Sequence, residues 1–173
     1  FDRSSLQRGY QVYKEVCASC HSMKLLSFRN LGEEGGPEFS ISEVKDIAAS
    51  YEVTDGPDSQ GEMFIRPGRP SDRFVSMYPN VEAATAANGG AYPPDMSVLV
   101  KSRKGGSNYI YSVLMGYEDP PKDFKLDDGV YYNKYMEGNK IKMSKPIIEG
   151  IVSYSDGTNA TEEQMAKDVT AFL

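Results

Sequence analysis

The sequence has no tryptophan, one histidine, two cysteines and no long apolar run, and each shortage removes a class of protein. Two cysteines cannot build a disulfide framework. With one histidine besides, they cannot complete a zinc site, which needs a third and a fourth good ligand. No apolar stretch approaches the roughly 18–20 residues that span a bilayer. Positive charge is in deficit: 19 lysines and arginines against 25 aspartates and glutamates leave a net charge of -6, which argues against nucleic acid and favours a basic protein as partner or no charged partner at all. No internal repeat or low-complexity tract interrupts the 173 residues, a length suited to a single domain, 1–173, with a sizeable core.

What is present is concentrated. "YKEVCASCHSM", residues 13–23, holds Cys17, Cys20 and His21, all the cysteine and histidine of the chain, within five consecutive positions. Random scatter would give Cys-x-x-Cys-His with odds of roughly one in ten thousand, and the spacing is that of a c-type haem attachment site. The chemistry explains it: two thioether bonds to the haem vinyl groups need thiols one helical turn apart, and the resemblance to such attachment sites implies that the next residue, His21, is the proximal ligand. A thioredoxin-like dithiol would open a helix in a βαβ context, whereas this pair ends one. The distal position is open to a Met sulfur, a Lys amine, water or no ligand. Of eight methionines, Met23 stands too close to His21 to reach the opposite face, and Met115 and Met165 fall on helical apolar stripes. Met63, Met77, Met96, Met136 and Met143 stay in contention, with Met143 favoured by its place in "GNKIKMSKPI", an irregular segment between Gly138 and Pro146.

Along the chain, spacing predicts a helix through "LQRGYQVYKEVCASC", capped by Ser4 or Ser5 and carrying Leu6, Tyr10, Tyr13, Val16, Cys17 and Cys20 on one face. Gly9 inside it costs about 1 kcal/mol against Ala, which predicts another helix crossing closely there. Further helices are predicted over "SISEVKDIAASY" with Ser42 as cap, over "DMSVLVKSRKGG" stopped by Gly105 and Gly106, and over "SNYIYSVLMG" ending at Gly116. The last starts at Thr161, with Gln164 completing a capping box and Met165, Val169 and Phe172 on one stripe; it is the candidate to cross at Gly9. Residues 51–94 show no sustained period and read as a functional loop. Residues 117–160 read similarly, with a short hairpin near "GIVSYSDGT". Twelve tyrosines and seven phenylalanines supply apolar faces suited to a porphyrin edge. The start at Phe1 lacks a charged n-region and an apolar h-region, and the end at "TAFL" lacks a stop signal, so the chain reads as truncated at both ends.

"FDRSSLQRGYQVYKEVCASCHSM", "RPGRPSDRF", "YPNVEAATAANGGAYPPDMSVLVKSRKGG", "YIYSVLMGYEDPP" and "DGTNATEEQMAKDVTAFL" resemble, in that order and along nearly the whole chain, the cytochrome c1 family, haem subunits of the quinol to cytochrome c oxidoreductase (bc1 complex). The resemblance implies a mostly α, class I-like c-type cytochrome fold with crossing N- and C-terminal helices and long haem-wrapping loops. It implies one covalent haem c on Cys17 and Cys20, His21 as proximal and Met143 as distal ligand, and haem contacts from Asn88, Pro93, Pro94, Leu99, Arg103, Tyr109, Leu114 and Ile141. The proline pair could offer a carbonyl to the His21 ring N–H. Arg103 could pair a propionate, although a solvated helix-end arginine is the plainer reading. Tyr109, Leu114 and Ile141 would exclude water, a role that ordinary core packing also fits. One departure stands out: where the family usually has an Ala before the distal Met and prolines after it, this chain reads Lys142, Met143, Ser144, Lys145, Pro146.

The function implied is a one-electron relay, in a complex with cytochrome b, from a mobile Rieske iron-sulfur protein to a soluble, basic cytochrome c, with no substrate bond made or broken on this subunit. Glu52, Asp55, Asp58, Glu62, Glu118 and Asp119 are candidates for an acidic docking face, against a plain reading as solvated loop charges. The family also implies a C-terminal membrane helix beyond these residues, facing the periplasm or the mitochondrial intermembrane space. Two rivals are a haem enzyme or ligand sensor with an open distal face, which lacks any second histidine for acid–base work, and a free-standing soluble carrier.

Overall fold

The computed structural model describes residues 2–173 and is mainly helical, with two small antiparallel sheets. Helix α1 runs Arg3–Glu15 and its N-cap is Asp2, whose carboxylate accepts from the Ser5 backbone N–H. Neither Ser4 nor Ser5 caps it, because the Ser5 hydroxyl is committed at 2.6 Å to Asp168 across the molecule. The helix also stops short of Cys20. Residues Cys17–Ser19 tighten into a 3-10 turn, with the His21 N–H donating to the Cys17 carbonyl at 2.8 Å.

Helix α2, Ile41–Ala49, is capped by Ser40 rather than Ser42. Glu43 decides this: it stands three residues after Ser40 and returns a bond to the Ser40 N–H at 2.8 Å while its own N–H donates to the Ser40 hydroxyl at 3.2 Å. The stretch read as one long loop contains structure. Strands β1, Glu52–Asp55, and β2, Phe64–Pro67, form a hairpin, and helix α3, Val81–Ala87, starts at the Asn80 cap. Arg66 clamps the hairpin, pairing with Asp55 and, at 2.7 Å, with Asp72.

Helix α4 is only Leu99–Ser102, one turn of the longer helix expected over residues 95–106. The residues before it bond elsewhere: the Met96 N–H donates to the Ser22 carbonyl at 2.7 Å and the Ser97 N–H to the Asp95 carboxylate. Gly105, at φ +92°, is the N-cap of α5, Gly106–Met115, which ends at Gly116 as expected. Strands β3, Tyr131–Tyr132, and β4, Lys140–Ile141, pair in the second sheet. The hairpin expected near residues 150–158 does not form. The alternation there reflects Val152 and Tyr154 entering the core, while the Ser153 carbonyl accepts from the Gln11 side chain on α1 instead of from a partner strand.

Helix α6, Glu162–Phe172, starts at the Thr161 cap, whose hydroxyl accepts from the Gln164 N–H at 3.1 Å. The return bond of a capping box is replaced, since the Gln164 amide donates to Asp168. Met165, Ala166 and Val169 of α6 are wholly buried, with Val12 and Tyr13 of α1 in the same core; each large side chain so buried is worth roughly 1.5–3 kcal/mol. Asp168 is itself wholly buried and accepts from Ser5 and, at 2.8 and 3.1 Å, from Arg8. The two helices cross at Gly9, where a Cβ would lie 2.1 Å from the Asp168 carbonyl oxygen. Gly9→Ala is therefore expected to cost at least about 3 kcal/mol, since the helices must part to admit one methyl. Urea unfolding measures this, and an unchanged midpoint would contradict the crossing.

Candidate functional site

The turn that leaves α1 sets three reactive side chains side by side. Cys17 is buried in the core, Cys20 is half-buried, and both thiols are free. Burial, reinforced by the neighbouring Cys20, pushes the Cys17 thiol up to about 12.

His21 is oriented from across the chain. Its Nδ1–H donates to the Pro94 carbonyl at 2.9 Å, fixing the tautomer that leaves a lone pair on Nε2. Burial lowers the His21 pKa, outweighing the opposing effects of the Pro94 bond and the Asp95 charge. The proline pair carries no amide N–H and has restricted φ, which makes the Pro94 carbonyl a rigid acceptor.

Asp95, the next residue, ties the two segments together. Its carboxylate accepts from the Ser22 hydroxyl at 2.8 Å, the Lys24 N–H at 2.9 Å and the Ser97 N–H at 2.9 Å. Burial works against its charge, yet these bonds hold its pKa below the usual carboxylate range. Sequence reasoning missed Asp95. The available signal was an Asp two residues before a Ser in a proline-led turn, a pattern that favours side-chain capping of the backbone.

The family model for the cytochrome c1 family matches residues 1–173. The chain belongs to the cytochrome c1 family. It is 51% identical over 173 residues to "Cytochrome c1-2, heme protein, mitochondrial" of Solanum tuberosum, covering 100% of this chain and 65% of that relative. It is 44% identical over 189 residues to "Cytochrome c1" of Rhodospirillum rubrum, covering 100% of this chain and 68% of that one. It is also 48% identical over 192 residues to "Cytochrome b/c1" of Bradyrhizobium diazoefficiens, covering all of this chain and 28% of that protein. The chain thus spans a little under two-thirds of the plant relative's length. Among the described residues no helix is long and apolar enough to cross a membrane.

The mostly α fold of a cytochrome c1 family member frames the other positions expected at the site. Leu99 and Leu114 are buried in one cluster with Cys17, and Tyr109 packs against that cluster. Pro93 lines a small cleft with Cys20, Ser22 and Tyr92. Asn88 ends α3 and spends its side-chain amide on the Ala84 carbonyl at 2.7 Å. Arg103 is exposed at the end of α4, donates to the Ser102 hydroxyl at 3.1 Å, and has no carboxylate partner among the described residues. Ile141 and Met143 are half-buried, and the Met143 carbonyl accepts from the Tyr117 hydroxyl at 2.9 Å.

The acidic candidates divide. Asp55 is committed to Arg66, Asp58 accepts from the Gln60 and Glu62 N–H groups within its turn, and Glu118 pairs with Lys134 at 3.1 Å. These three carboxylates have structural duties, whereas Glu52, at the start of β1, and Glu62 and Asp119, in loops, are exposed charges.

Asp95→Asn is expected to cost about 2 kcal/mol, the worth of hydrogen bonds to a charged acceptor. Because the native pKa is depressed, the stability difference between wild type and variant should be full at pH 7 and shrink as pH falls below about 4. Parallel denaturation curves at pH 7 and pH 3 test this, and a difference that grows on acidification would have the wrong sign.

Proposed function

We propose that this chain, as one domain over 1–173, carries a single covalent haem c and relays one electron at a time within a quinol to cytochrome c oxidoreductase. The observation that carries the reading is the joint state of residues 17–21: two free thiols flank a turn whose following imidazole has Nδ1 engaged by Pro94 and Nε2 unengaged among the described residues. That donor set fits a haem bonded through Cys17 and Cys20 with His21 as proximal ligand. When bound, the haem supplies a one-electron iron couple, and the residues do the rest.

The Pro94 carbonyl strengthens the His21 imidazole as a donor and keeps its ring from rotating. Leu99, Leu114 and Tyr109 exclude water, and Pro93, Asn88 and Ile141 complete the lining. Arg103, without a carboxylate of its own, is free to neutralise a propionate. Met143 as distal ligand is favoured by what the other sulfurs are doing. Met23, Met96 and Met165 are core residues, Met115 packs on the core, Met63 and Met77 are exposed, and the Met136 sulfur accepts from the Tyr109 hydroxyl at 3.3 Å. A thioether on the iron raises the potential, as a carrier placed late in a respiratory chain requires.

The partners follow from the family and the charge. A Rieske iron-sulfur protein delivers the electron, cytochrome b shares the complex, and a basic soluble cytochrome c accepts, steered by the net charge of -6. The domain faces the periplasm or the mitochondrial intermembrane space and is held there by a membrane helix outside these residues.

Produced in a host that attaches haem c, the protein should keep its colour through acid–acetone extraction. The ferric form should display the weak far-red band of sulfur-ligated haem, and the ferrous form should ignore carbon monoxide; Met143→Ala should lose the band and bind the gas. Extractable colour would refute covalent attachment, and a band that survives in Met143→Ala would remove that residue as ligand.

A further inference from the structure

The segment around Met143 is irregular in sequence and in structure. Lys142, Ser144 and Lys145 are exposed, and regular structure ends at Ile141. Yet three side-chain bonds land within four consecutive residues, each from a different part of the fold. The Lys142 ammonium donates to the Gly89 carbonyl at 2.9 Å, on the turn after α3. The Tyr117 hydroxyl donates to the Met143 carbonyl at 2.9 Å, from the residue just past α5. The Lys145 ammonium pairs with Glu162 at 2.6 Å, in the first turn of α6.

The anchors are stiff. Tyr117 sits in a β-bridge with Asn133, and the wholly buried Asn133 donates to the Val113 carbonyl of α5 at 2.7 Å. Glu162 stands directly after the Thr161 cap of a helix packed into the core. A surface lysine pair on its own contributes little, because ordering a long side chain offsets the attraction. One such pair, at Lys145, and one lysine bond to a backbone carbonyl, at Lys142, flank a half-buried tyrosine bond and act on the same four residues, so the entropy of fixing the loop is lost once and shared.

We propose that Tyr117, Lys142 and Lys145 are positioning residues that hold the Met143 backbone, so that its sulfur is kept on the iron in both oxidation states. The inference rests on Met143 being the distal ligand. A thioether binds as a tethered ligand whose occupancy scales with its effective concentration at the metal, and loosening the tether lowers that concentration. Ferrous iron, which favours sulfur, loses most when occupancy falls, so the potential should drop.

The test uses the haem-loaded protein and reads the far-red ferric band, the rate of carbon monoxide binding to the ferrous form, the midpoint potential and the melting temperature. Tyr117→Phe, and Lys142→Leu combined with Lys145→Leu, should each weaken the band, speed carbon monoxide binding at least tenfold and lower the potential; a tenfold change in relative affinity for the two oxidation states corresponds to about 59 mV for a one-electron couple. Lys142→Arg and Lys145→Arg keep a donor at each anchor and should restore wild-type values. Lys167→Met breaks the Glu163 pair of α6 without touching the loop, and should leave all the haem readouts unmoved. If Met143→Ala abolishes the band while Tyr117→Phe and the double lysine variant match wild type, the clamp is refuted and the ligand stands. A variant that melts earlier with band, gas binding and potential unmoved also refutes the clamp. Retention of the band in Met143→Ala overturns ligand and clamp together.

Discussion

The close contact of α1 with α6 at Gly9 is the constraint on which the remaining structure is built. No side chain separates the helices there, so Val12 and Tyr13 of one lie in the same core as Met165 and Val169 of the other, and the wholly buried Asp168 finds Arg8 and Ser5 within hydrogen-bond reach. A buried carboxylate is tolerable only when it is paired and fully bonded, and the crossing brings those donors to it. Because α1 runs directly into the turn of Cys17, Cys20 and His21, the crossing also sets where that turn stands relative to α6, Tyr154 and the aromatic cluster of Tyr10, Phe39, Phe74 and Phe172.

From that fixed turn, the site is completed by segments that reach it through hydrogen bonds. Pro94 and Asp95 form one latch, the first on the imidazole and the second on the backbone and hydroxyl of the residues that follow it. Residues 142–145 are the opposite case, an irregular stretch bonded to three separate parts of the molecule, at Gly89, Tyr117 and Glu162. A stiff setting for His21 and a tethered one for Met143 suit the proposed one-electron role, in which both would be ligands that should not move between oxidation states.

Several elements were legible from the residues before any coordinates. The amphipathic faces of α1, α2, α5 and α6, the stop at Gly116, the Thr161 cap and the helix crossing at Gly9 all follow from local spacing and from the cost of a mid-helix glycine. The misses share a cause. Strands β1 and β2 expose Phe64 and Ile65, so no apolar alternation marks them, and the hairpin is clamped by Arg66 acting on Asp55 of the facing strand and on Asp72 beyond β2. Helix α3 is a seven-residue run dominated by alanine with no apolar stripe. The expected helix before Gly105 shrank to one turn because Met96 and Ser97 gave their N–H groups to Ser22 and Asp95. At Ser5 and Gln164 the expected local caps were lost to a single buried carboxylate, Asp168.

By itself the sequence determined the chemistry available at residues 17–21 and the family to which the chain belongs, since both depend on which residues stand at which spacing. It also dictated that something must pass close to Gly9. Only the tertiary structure decided that the Pro94 carbonyl, 73 residues away, holds the His21 ring, that Asp95 fastens the following strand of chain, and that Tyr117, Gly89 and Glu162 converge on residues 142–145. Spacing and propensity act within a few residues along the chain, whereas these bonds join groups that meet only after the helices have packed.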